Sequence, residues 1–580
     1  MCENTFEIRQ LPLSVGRIRQ RVEVFLQRNG LRLEAVDYYA GLFTADGDEL
    51  VAGGGLQGGL LKCIAVAPEW RASHVGLRII SHLLSTAQAM GHSEVRVFTK
   101  PDNREKFQQM GFRELAATGE VVLMENGNGL SRYLQTLQDR RQAGRNGIIV
   151  MNGNPFTIGH RYLIEQAAAQ VDRLYLMPVG EDVSLFSTAE RTSMMRAACA
   201  DLPQVSVLEG SPYSISRVTF PTYFLKKIAS ATQQQMEIDL QLFARYIAPA
   251  LGVTVRFVGS EPEDELTRLY NQTMQRLLPA AGISVVEVDR LQKEGRPVSA
   301  SALRRAMNTS FHEAAALAHP VAIPYILGVL ATNALQKELD TPLKPGLVCP
   351  QDVGSHADMN YELMKRSLRS LRPYFVHLAL MGTKNEAIDT ADIRRIGLDA
   401  EATMLKATGG VNTHRGALFA LGLTIIAAAQ TYQLEGAIRK DALQQRIIAL
   451  ARPFSSPKDT HGGRVRASYG VKGALQMAQE GYAPLFDDWL PALQRLRDDP
   501  YSAQKTLLRI MQTLDDTNVY HRCGPAAAAW IKQRAAEVYE QFSIDNLQKF
   551  CNKTKQKQLS PGGSADMLAL TMLVNTLTNP

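Results

Sequence analysis

The chain is 580 residues long, with 45% hydrophobic and 21% charged residues, and its formal net charge is +7. This length exceeds that of one domain and the composition is that of a folded globular protein, so we expect several packed cores and no extensive disorder. The positive charges form no Lys/Arg block and no aromatic-interleaved stripe, which argues against nucleic-acid binding and fits anionic small molecules.

The cysteines and the apolar segments bear on the cellular compartment. None of the six cysteines forms a CxxC pair, so neither a zinc site nor a disulfide framework is indicated. The first ten residues lack the apolar core of a signal peptide, and we expect a cytoplasmic protein. One uncharged run, 416–434, approaches membrane-spanning length but contains glycine, threonine and glutamine, so we interpret it as a buried core helix.

Residues 1–140 alternate between strand and helix patterns. The apolar run 60–66 indicates a strand, the apolar positions between 80 and 87 have helical spacing, and 95–98 indicates the next strand. With Arg71 and Gly76 in the connecting loop, this order resembles the GNAT acetyltransferase superfamily, which implies a GNAT-like α/β domain whose loop binds a coenzyme A pyrophosphate. His74, however, occupies the position of that family's first loop glycine. The sequence leaves open whether this is a degenerate docking domain or an active acetyltransferase.

A polar linker, 139–146, precedes a second α/β domain that we place at 147–320. The apolar run 148–151 indicates a buried strand, and a turn and an apolar-periodic helix follow it. A helix N-terminus offers unpaired N–H groups and a partial positive charge, which suit the phosphates of a nucleotide. The segment therefore predicts a phosphate site at the start of the helix.

Two short motifs support this interpretation. The segment Thr157-Ile158-Gly159-His160 resembles the first signature of the nucleotidylyltransferase superfamily, and 298–304 resembles the second. The resemblance implies a Rossmann-like fold and adenylyl transfer assisted by Mg²⁺. It assigns catalytic roles to Thr157, His160 and Arg304, and nucleotide-binding roles to Asn154, Gly159, Ser299 and Ser301. Alternatively, Thr157 is an ordinary helix cap and Arg304 a solvated helix residue.

Three further segments, 214–221, 257–262 and 267–271, are similar to segments of the citrate lyase ligase family. This resemblance implies that ATP activates acetate as acetyl-adenylate with release of diphosphate. A thiol on the prosthetic group of the citrate lyase acyl carrier protein would then capture the acetyl group and release AMP.

Residues 322–580 contain long Ala/Leu-rich stretches without clear strand runs, so we expect an all-helical domain. Its helices are separated by polar loops that are dense in phosphate-binding or metal-binding residue types: 341–346, 354–359, 409–416, 458–466 and 515–522. Together with 561–566, these loops resemble the triphosphoribosyl-dephospho-coenzyme A synthase family. The family reaction joins C1 of the ATP ribose to the 2′-hydroxyl of 3′-dephospho-coenzyme A and releases adenine.

The chemistry implied by this resemblance selects candidate residues. Positive charge builds on the ribose carbon as in glycoside cleavage, so a carboxylate near that carbon is required. Asp358 and Asp515 are the catalytic candidates, and Asp358, Asp515 and Asp516 are the Mg²⁺ candidates, but the sequence does not separate base from metal ligand. The candidates for binding the nucleotide are Lys344, Asn412, His414, Arg415 and Arg464. Any single loop histidine could instead be an ordinary capping residue.

The sequence as a whole indicates a multidomain, bifunctional enzyme that uses ATP at two sites. Its expected partners are acetate, 3′-dephospho-coenzyme A and the acyl carrier protein, with no nucleic acid and no membrane. Two other functions stay open: a coenzyme A-dependent acetyltransferase with helical partner-binding domains, and a pantetheine-phosphate-type adenylyltransferase. The Thr157/His160 motif and the loop 409–416 argue against the first.

Overall fold

The computed structural model describes residues 6–44, 49–180, 184–211, 213–214, 220, 228–261, 264–384, 387–455 and 468–579. The chain divides into two compact units. Unit 1 comprises Met1–Asn154 and Gly159–Pro297, and unit 2 comprises Pro155–Ile158 and Val298–Pro580.

The first half of unit 1 is built on a seven-stranded mixed sheet of order β1-β2-β3-β4-β5-β7-β6. Its strands are β1 Phe6–Gln10, β2 Tyr38–Thr44, β3 Leu50–Gln57, β4 Leu60–Val66, β5 Val95–Thr99, β6 Arg113–Ala117 and β7 Val122–Asn126. Its helices are α1 Gly16–Arg28, α2 Val75–Ala89, α3 Arg104–Gln109 and α4 Gly129–Gln138. The central pair β4/β5 is parallel but pairs only through Leu60–Arg96 and Leu61–Val97. Two hydrophobic clusters cover the sheet, one including α1 and the other including α2.

The second half of unit 1 contains a five-stranded parallel sheet of order β10-β9-β8-β11-β12. Its strands are β8 Asn146–Met151, β9 Arg173–Pro178, β10 Val205–Val207, β11 Val253–Gly259 and β12 Ser284–Val288, and a hairpin of β13 Gln292–Lys293 and β14 Arg296–Pro297 follows. The helices are α5 Ile158–Ala168, α6 Thr188–Ala198, α7 Ile228–Leu242, α8 Ala248–Leu251 and α9 Glu265–Leu277. The chain order reverses between β8 and β11, and in open parallel sheets ligands bind beyond the carboxyl ends of the strands at such a point.

Unit 2 is helical in the part that the structure describes. Its helices are α10 Ala300–Ala306, α11 Phe311–Leu317, α12 Ile323–Asp340, α13 Tyr361–Gly382, α14 Thr390–Thr408, α15 Arg415–Glu435, α16 Lys440–Ala451, α17 Ala474–Gln479, α18 Leu490–Arg495, α19 Ser502–Thr513, α20 Thr517–Glu540, α21 Ile544–Gln556 and α22 Gly562–Thr578. Helices α12, α15 and α22 are apolar around most of their circumference and form the core. Helix α15 is long and apolar enough to cross a membrane, but 72% of its apolar window is buried inside the protein. This agrees with the interpretation of 416–434 as a core helix.

The coarse fold prediction is confirmed: a mixed α/β region with a parallel sheet precedes a helical region. The strand predictions at 60–66, 95–98 and 148–151 correspond to β4, β5 and β8. The predicted loop 458–466, most of 214–221 and residues 262–263 lie outside the described residues, and Arg464 lies outside them too.

Candidate active sites

The loop after β8 is held at the switch point of the parallel sheet by a buried arginine. Arg191, on α6, is fully buried and donates from Nη1 to the backbone oxygen of Asn152 at 2.9 Å and to its Oδ1 at 2.7 Å. The same guanidinium donates to the carbonyl of Phe186 at 3.1 Å and to Thr188 Oγ1 at 2.9 Å. Asn154 Oδ1 accepts the Phe186 N–H at 3.1 Å. The motif loop and the start of α6 are therefore joined through side chains on both segments.

Arg191 was absent from the candidate residues. A lone arginine on a helix carries no motif, and only the fold shows that it is buried against this loop. The one signal in the sequence was the capping box Ser187–Glu190, which fixes where α6 begins and hence which way Arg191 points.

The carboxyl end of β11 contributes a second polar group to unit 1. Arg290 donates from Nε to the carbonyl of Ser260 at 2.6 Å, its backbone N–H donates to Ser260 Oγ at 3.1 Å, and its guanidinium pairs with Glu261. Burial, together with the nearby charge of Arg290, lowers the pKa of His160 to about 4. His160, in the first turn of α5, is therefore neutral near pH 7 and can donate or accept a hydrogen bond without carrying charge.

The other motif residues of the ligase-like half belong to unit 2. Thr157 is buried and forms an isolated antiparallel bridge with Ala318. Ser299 caps α10, its Oγ accepting the Ala302 N–H at 3.0 Å. Arg304 donates to Ser301 Oγ at 3.0 Å, and burial, with the adjacent charge of Arg305, lowers its pKa. Gly159 and His160 belong to unit 1, so the units divide the predicted residue set.

In the helical unit, Lys344 is buried in an ion pair. Its Nζ contacts the carboxylate of Glu338 and donates to the Glu338 carbonyl at 2.7 Å. Both side chains are nearly fully buried. Burial raises the pKa of Glu338, whereas the charge and hydrogen bond of Lys344 act in the opposite direction. Lys344 was expected to hold phosphate, and its charge here is matched by a buried carboxylate that the sequence did not single out.

Asp516 joins the N-termini of two helices. It caps α20 by accepting the Asn518 N–H at 3.1 Å, and it accepts the N–H and Oγ–H of Ser564 on α22 at 2.8 and 3.0 Å. Burial raises its pKa, and the backbone donors of Ser564, Asn518 and Gly563 oppose the rise. Its oxygens are thus used by donors from two helices, which binds the loop at 515–518 to the loop at 561–564.

Asp566, on the first turns of α22, was missed as a candidate although its segment was noted. Its carboxylate accepts a backbone hydrogen bond from Ala417 in the first turn of α15. A Cβ on Gly416 would be only 3.1 Å from Asp566 Cγ and closer still to Oδ2, so this approach requires glycine. The loops at 409–416, 515–518 and 561–566 therefore meet at the N-termini of α15, α20 and α22, which adds partial positive charge from three helices.

His414 lies at the start of α15 and is 3% exposed. Its Nδ1 is within 2.8 Å of Ser367 Oγ and 3.2 Å of Thr413 Oγ1. Its Nε2 is buried with no hydrogen-bond partner in the part of the chain that the structure describes. Burial, with the nearby charge of Lys344, lowers the pKa of His414 to about 4.

The remaining candidates of the helical unit are spread over its loops. Asp358 is exposed, 3.8 Å from Nδ1 of His356, and Asp515 pairs with Lys532 at 2.6 Å. Asn412 Oδ1 accepts the Arg415 N–H at 3.3 Å, and the Arg415 guanidinium pairs with Glu401. Among the described residues, no group of three or more His, Cys, Asp or Glu side chains is arranged to hold a metal ion.

Comparison with known proteins relates the two regions to two families. Residues 146–325 match the family model for the citrate lyase ligase C-terminal domain, and residues 325–580 match that for ATP:dephospho-CoA triphosphoribosyl transferase. A citrate (pro-3S)-lyase ligase of Klebsiella pneumoniae is 43% identical over 317 residues, covering 53% of this chain and 92% of that protein. The corresponding ligase of Escherichia coli K12 is 41% identical, covering 48% of this chain and 82% of its own length.

The second half has its own relatives. A probable 2-(5″-triphosphoribosyl)-3′-dephosphocoenzyme-A synthase of Pseudomonas aeruginosa is 37% identical over 264 residues, covering 43% of this chain and 90% of that protein. The chain therefore belongs to the citrate lyase ligase family and to the triphosphoribosyl-dephospho-coenzyme A synthase family, fused in one polypeptide, and is a bifunctional citrate lyase maturation enzyme with ligase and transferase activities.

Proposed function

We propose that the first half uses ATP to convert acetate to acetyl-adenylate and transfers the acetyl group to the prosthetic-group thiol of the citrate lyase acyl carrier protein. In the same proposal, the second half joins the ribose of ATP to the 2′-hydroxyl of 3′-dephospho-coenzyme A and releases adenine. One observation carries it: a single chain spans 92% of a ligase and 90% of a synthase from the two families.

The ligase chemistry requires positioning and charge neutralisation rather than a covalent enzyme nucleophile. The acetate oxygen attacks the α-phosphorus, and diphosphate leaves. In the proposal, neutral His160 donates a hydrogen bond to a phosphate oxygen, and Gly159 lets the start of α5 approach the phosphates. Arg304 neutralises charge on the leaving diphosphate. The hydroxyls of Thr157, Ser299 and Ser301 donate hydrogen bonds to it, and Asn154 orients the loop. The support for this assignment is the position of the motif loop after β8, at the switch point of the sheet.

The synthase site is proposed at the meeting point of the α15, α20 and α22 N-termini. His414, Asn412 and Arg415 lie on the loop that enters α15, and the partial positive charge of the three helix N-termini favours an anionic ligand there. Arg464 keeps its predicted role as a triphosphate ligand, and it lies outside the described residues. The Lys344 ammonium group, which is paired with Glu338, lies close enough to His414 to lower the pKa of its ring.

Mg²⁺ is part of the proposal for both reactions. When bound, it neutralises charge on the ATP phosphates. In the helical unit, the carboxylates that could hold Mg²⁺ are Asp358 and Asp515, because both keep exposed surface. Asp516 instead uses its oxygens to hold two helix N-termini.

We further assign a GNAT-like fold to residues 1–140, a Rossmann-like nucleotidylyltransferase fold to 147–320 and an all-α synthase domain to 322–580, in a cytoplasmic enzyme. The strand order 3-2-1-4-5 of the parallel sheet supports the second assignment. For the first domain we favour docking over acetyl transfer. Phe220 packs on Phe98 of β5 at a centroid distance of 5.2 Å, and Ile238 and Leu242 of α7 join the same core cluster as Cys63 of β4. The region around the parallel β4/β5 pair is thus filled by the chain itself.

The test measures both reactions on the intact protein. ATP, acetate and acyl carrier protein bearing the thiol should yield AMP and diphosphate in an acetate-dependent way. ATP with 3′-dephospho-coenzyme A should yield free adenine, measured by chromatography. Lack of adenine would refute the synthase assignment, and AMP formation independent of acetate would refute the ligase assignment.

A further inference from the structure

A buried ring nitrogen lies at the start of α15, and no described residue hydrogen-bonds to it. The Nδ1 side of His414 is held by the hydroxyls of Ser367 and Thr413, while Nε2 has no partner among the described residues. Ser367 is itself fully buried, so the ring orientation is fixed by packing. Buried polar atoms in folded proteins are normally satisfied, and one left open in a substrate-binding region points to an atom of a ligand.

A carboxyl group from α22 contacts the first turn of α15. Asp566 accepts the Ala417 N–H and passes so close to Gly416 that no side chain fits between them. His414, Gly416 and Ala417 lie within one turn of α15, so the two titratable groups are neighbours along one helix end. The Asp566 side chain is half-buried and so retains some exposed surface.

We propose that His414 and Asp566 are the base and the acid of the ribosyl transfer, His414 Nε2 taking the proton of the attacking hydroxyl and Asp566 giving a proton to the departing adenine. This inference rests on the proposed synthase function. It requires Nδ1 of His414 to carry the ring proton and to donate it to Ser367 Oγ, which leaves the lone pair on Nε2. Ser367 is then a positioning residue.

The step balances with the groups named. The hydroxyl oxygen of 3′-dephospho-coenzyme A forms a bond to C1 of the ATP ribose, and the bond from C1 to the adenine nitrogen breaks with its electron pair going to adenine. The hydroxyl proton moves to His414, and the carboxyl proton of Asp566 moves to adenine. After the products leave, the imidazolium returns its proton through solvent to the Asp566 carboxylate, which restores both groups.

The surroundings of each group favour these protonation states. Around His414, burial and the charge of Lys344 hold the pKa down at about 4, and the neighbouring Ser367 and Thr413 are uncharged. Around Asp566, burial and the carboxylates of Asp516 on α20 and Glu338 on α12 raise the pKa well above its usual range. Tyr482, which also faces Asp566, has its pKa raised by burial and by that carboxylate. When its surroundings raise the pKa of one titratable group and lower that of another, the first can act as the acid and the second as the base.

The experiment uses full-length His414→Asn and Asp566→Asn variants with ATP and 3′-dephospho-coenzyme A. Asn at 414 keeps a polar atom near the Nδ1 position for Ser367, and Asn at 566 keeps an acceptor for Ala417. We expect kcat for adenine release to fall by about 100-fold or more in each, with ligase activity unchanged. In the wild type, kcat should fall at low pH as His414 protonates and at high pH as Asp566 ionises. His414→Asn should lose the low-pH fall, and Asp566→Asn the high-pH fall.

Each alternative outcome is distinct. The inference would be overturned by a kcat within tenfold of the wild type in either variant. It would also be overturned if both variants kept the falls of kcat at low and at high pH. Neither result would affect the proposed synthase function. If Asp566→Asn does not fold, Asp566→Glu and the wild-type profile decide, because a wild-type profile with no high-pH fall removes Asp566 as the acid. No adenine from the wild type would refute the synthase function itself. Ser367→Ala should lower kcat less than His414→Asn and shift the low-pH limb.

Discussion

The carboxylate of Asp566 rests on the backbone of Gly416, so close that a Cβ at Gly416 would be 3.1 Å from Asp566 Cγ and nearer still to one oxygen. This contact ties the first turns of α22 to the N-terminus of α15. Gly416 is therefore required to leave room for the Asp566 side chain, and not to form a turn.

Gly416→Ala tests this relationship. The added methyl group must displace the Asp566 carboxylate, and a displacement of about 1 Å in a reacting site costs about 100-fold in rate. We expect adenine release to fall by about that factor while acetate-dependent AMP formation is retained. Gly397→Ala is the matched control, since that glycine lies inside α14 with nothing within 4 Å of the added atom. Equal activity of the two variants would contradict the contact.

The Glu338–Lys344 pair predicts a rescue by double substitution. Lys344→Met leaves a buried carboxylate uncompensated, and breaking a buried pair on one side costs about 3–5 kcal/mol of unfolding free energy. Lys344→Met combined with Glu338→Leu removes both charges and should recover most of that loss. Denaturant unfolding of the three proteins measures the effect. A double variant as unstable as the single one would show that the pair is not energetically coupled.

Arg191 predicts a selective loss of the ligase. Arg191→Met removes the donors that serve the oxygens of Asn152 and Phe186, and each buried acceptor left unpaired costs about 1–3 kcal/mol. We expect lower stability of the first half and loss of acetate-dependent AMP formation, with adenine release retained. Arg196→Met, on the same helix in an exposed pair with Glu209, is the control and should change neither. Full ligase activity of Arg191→Met would rule out its role in holding the loop.

Replacing His160 should have two independent effects, one on activity and one on the pH dependence of stability. His160→Ala should abolish acetate-dependent AMP formation and leave adenine release intact, and simultaneous loss of both signals would argue against separate sites. The assay pair is the one used for the two reactions of the wild type.

The second effect of replacing His160 concerns how the unfolding free energy depends on pH. Its pKa in the folded protein, about 4, lies below its ordinary value of 6.5, so the unfolded chain binds the proton first. The stabilisation associated with neutral His160 is therefore complete above about pH 6.5 and is lost as the pH falls toward about 4. His160→Gln should flatten unfolding free energy against pH in that window, measured by denaturant titration. An unchanged slope would show that the folded and unfolded pKa values do not differ.

Much of the fold could be predicted from short-range pattern. The apolar runs at 60–66, 95–98 and 148–151 correspond to β4, β5 and β8, and the uncharged run 416–434 lies in the buried helix α15. These succeed because strand and helix periodicity is a local property of the chain. The motifs Thr157–His160 and 409–416 likewise indicated both families before any contact was known, since backbone approach to phosphate demands small residues at fixed spacing.

The sequence alone thus indicated the mixed α/β region, the helical region and the two enzyme families. Only the tertiary structure showed which groups the polar side chains contact. Lys344 pairs with Glu338, Asp516 accepts hydrogen bonds from two helix ends, Asp566 lies against Gly416, and His414 Nε2 has no partner within the described residues. The reason is that protonation and hydrogen bonding depend on burial and on groups that the fold brings together, such as Asp566 and Gly416, and no local sequence pattern records these.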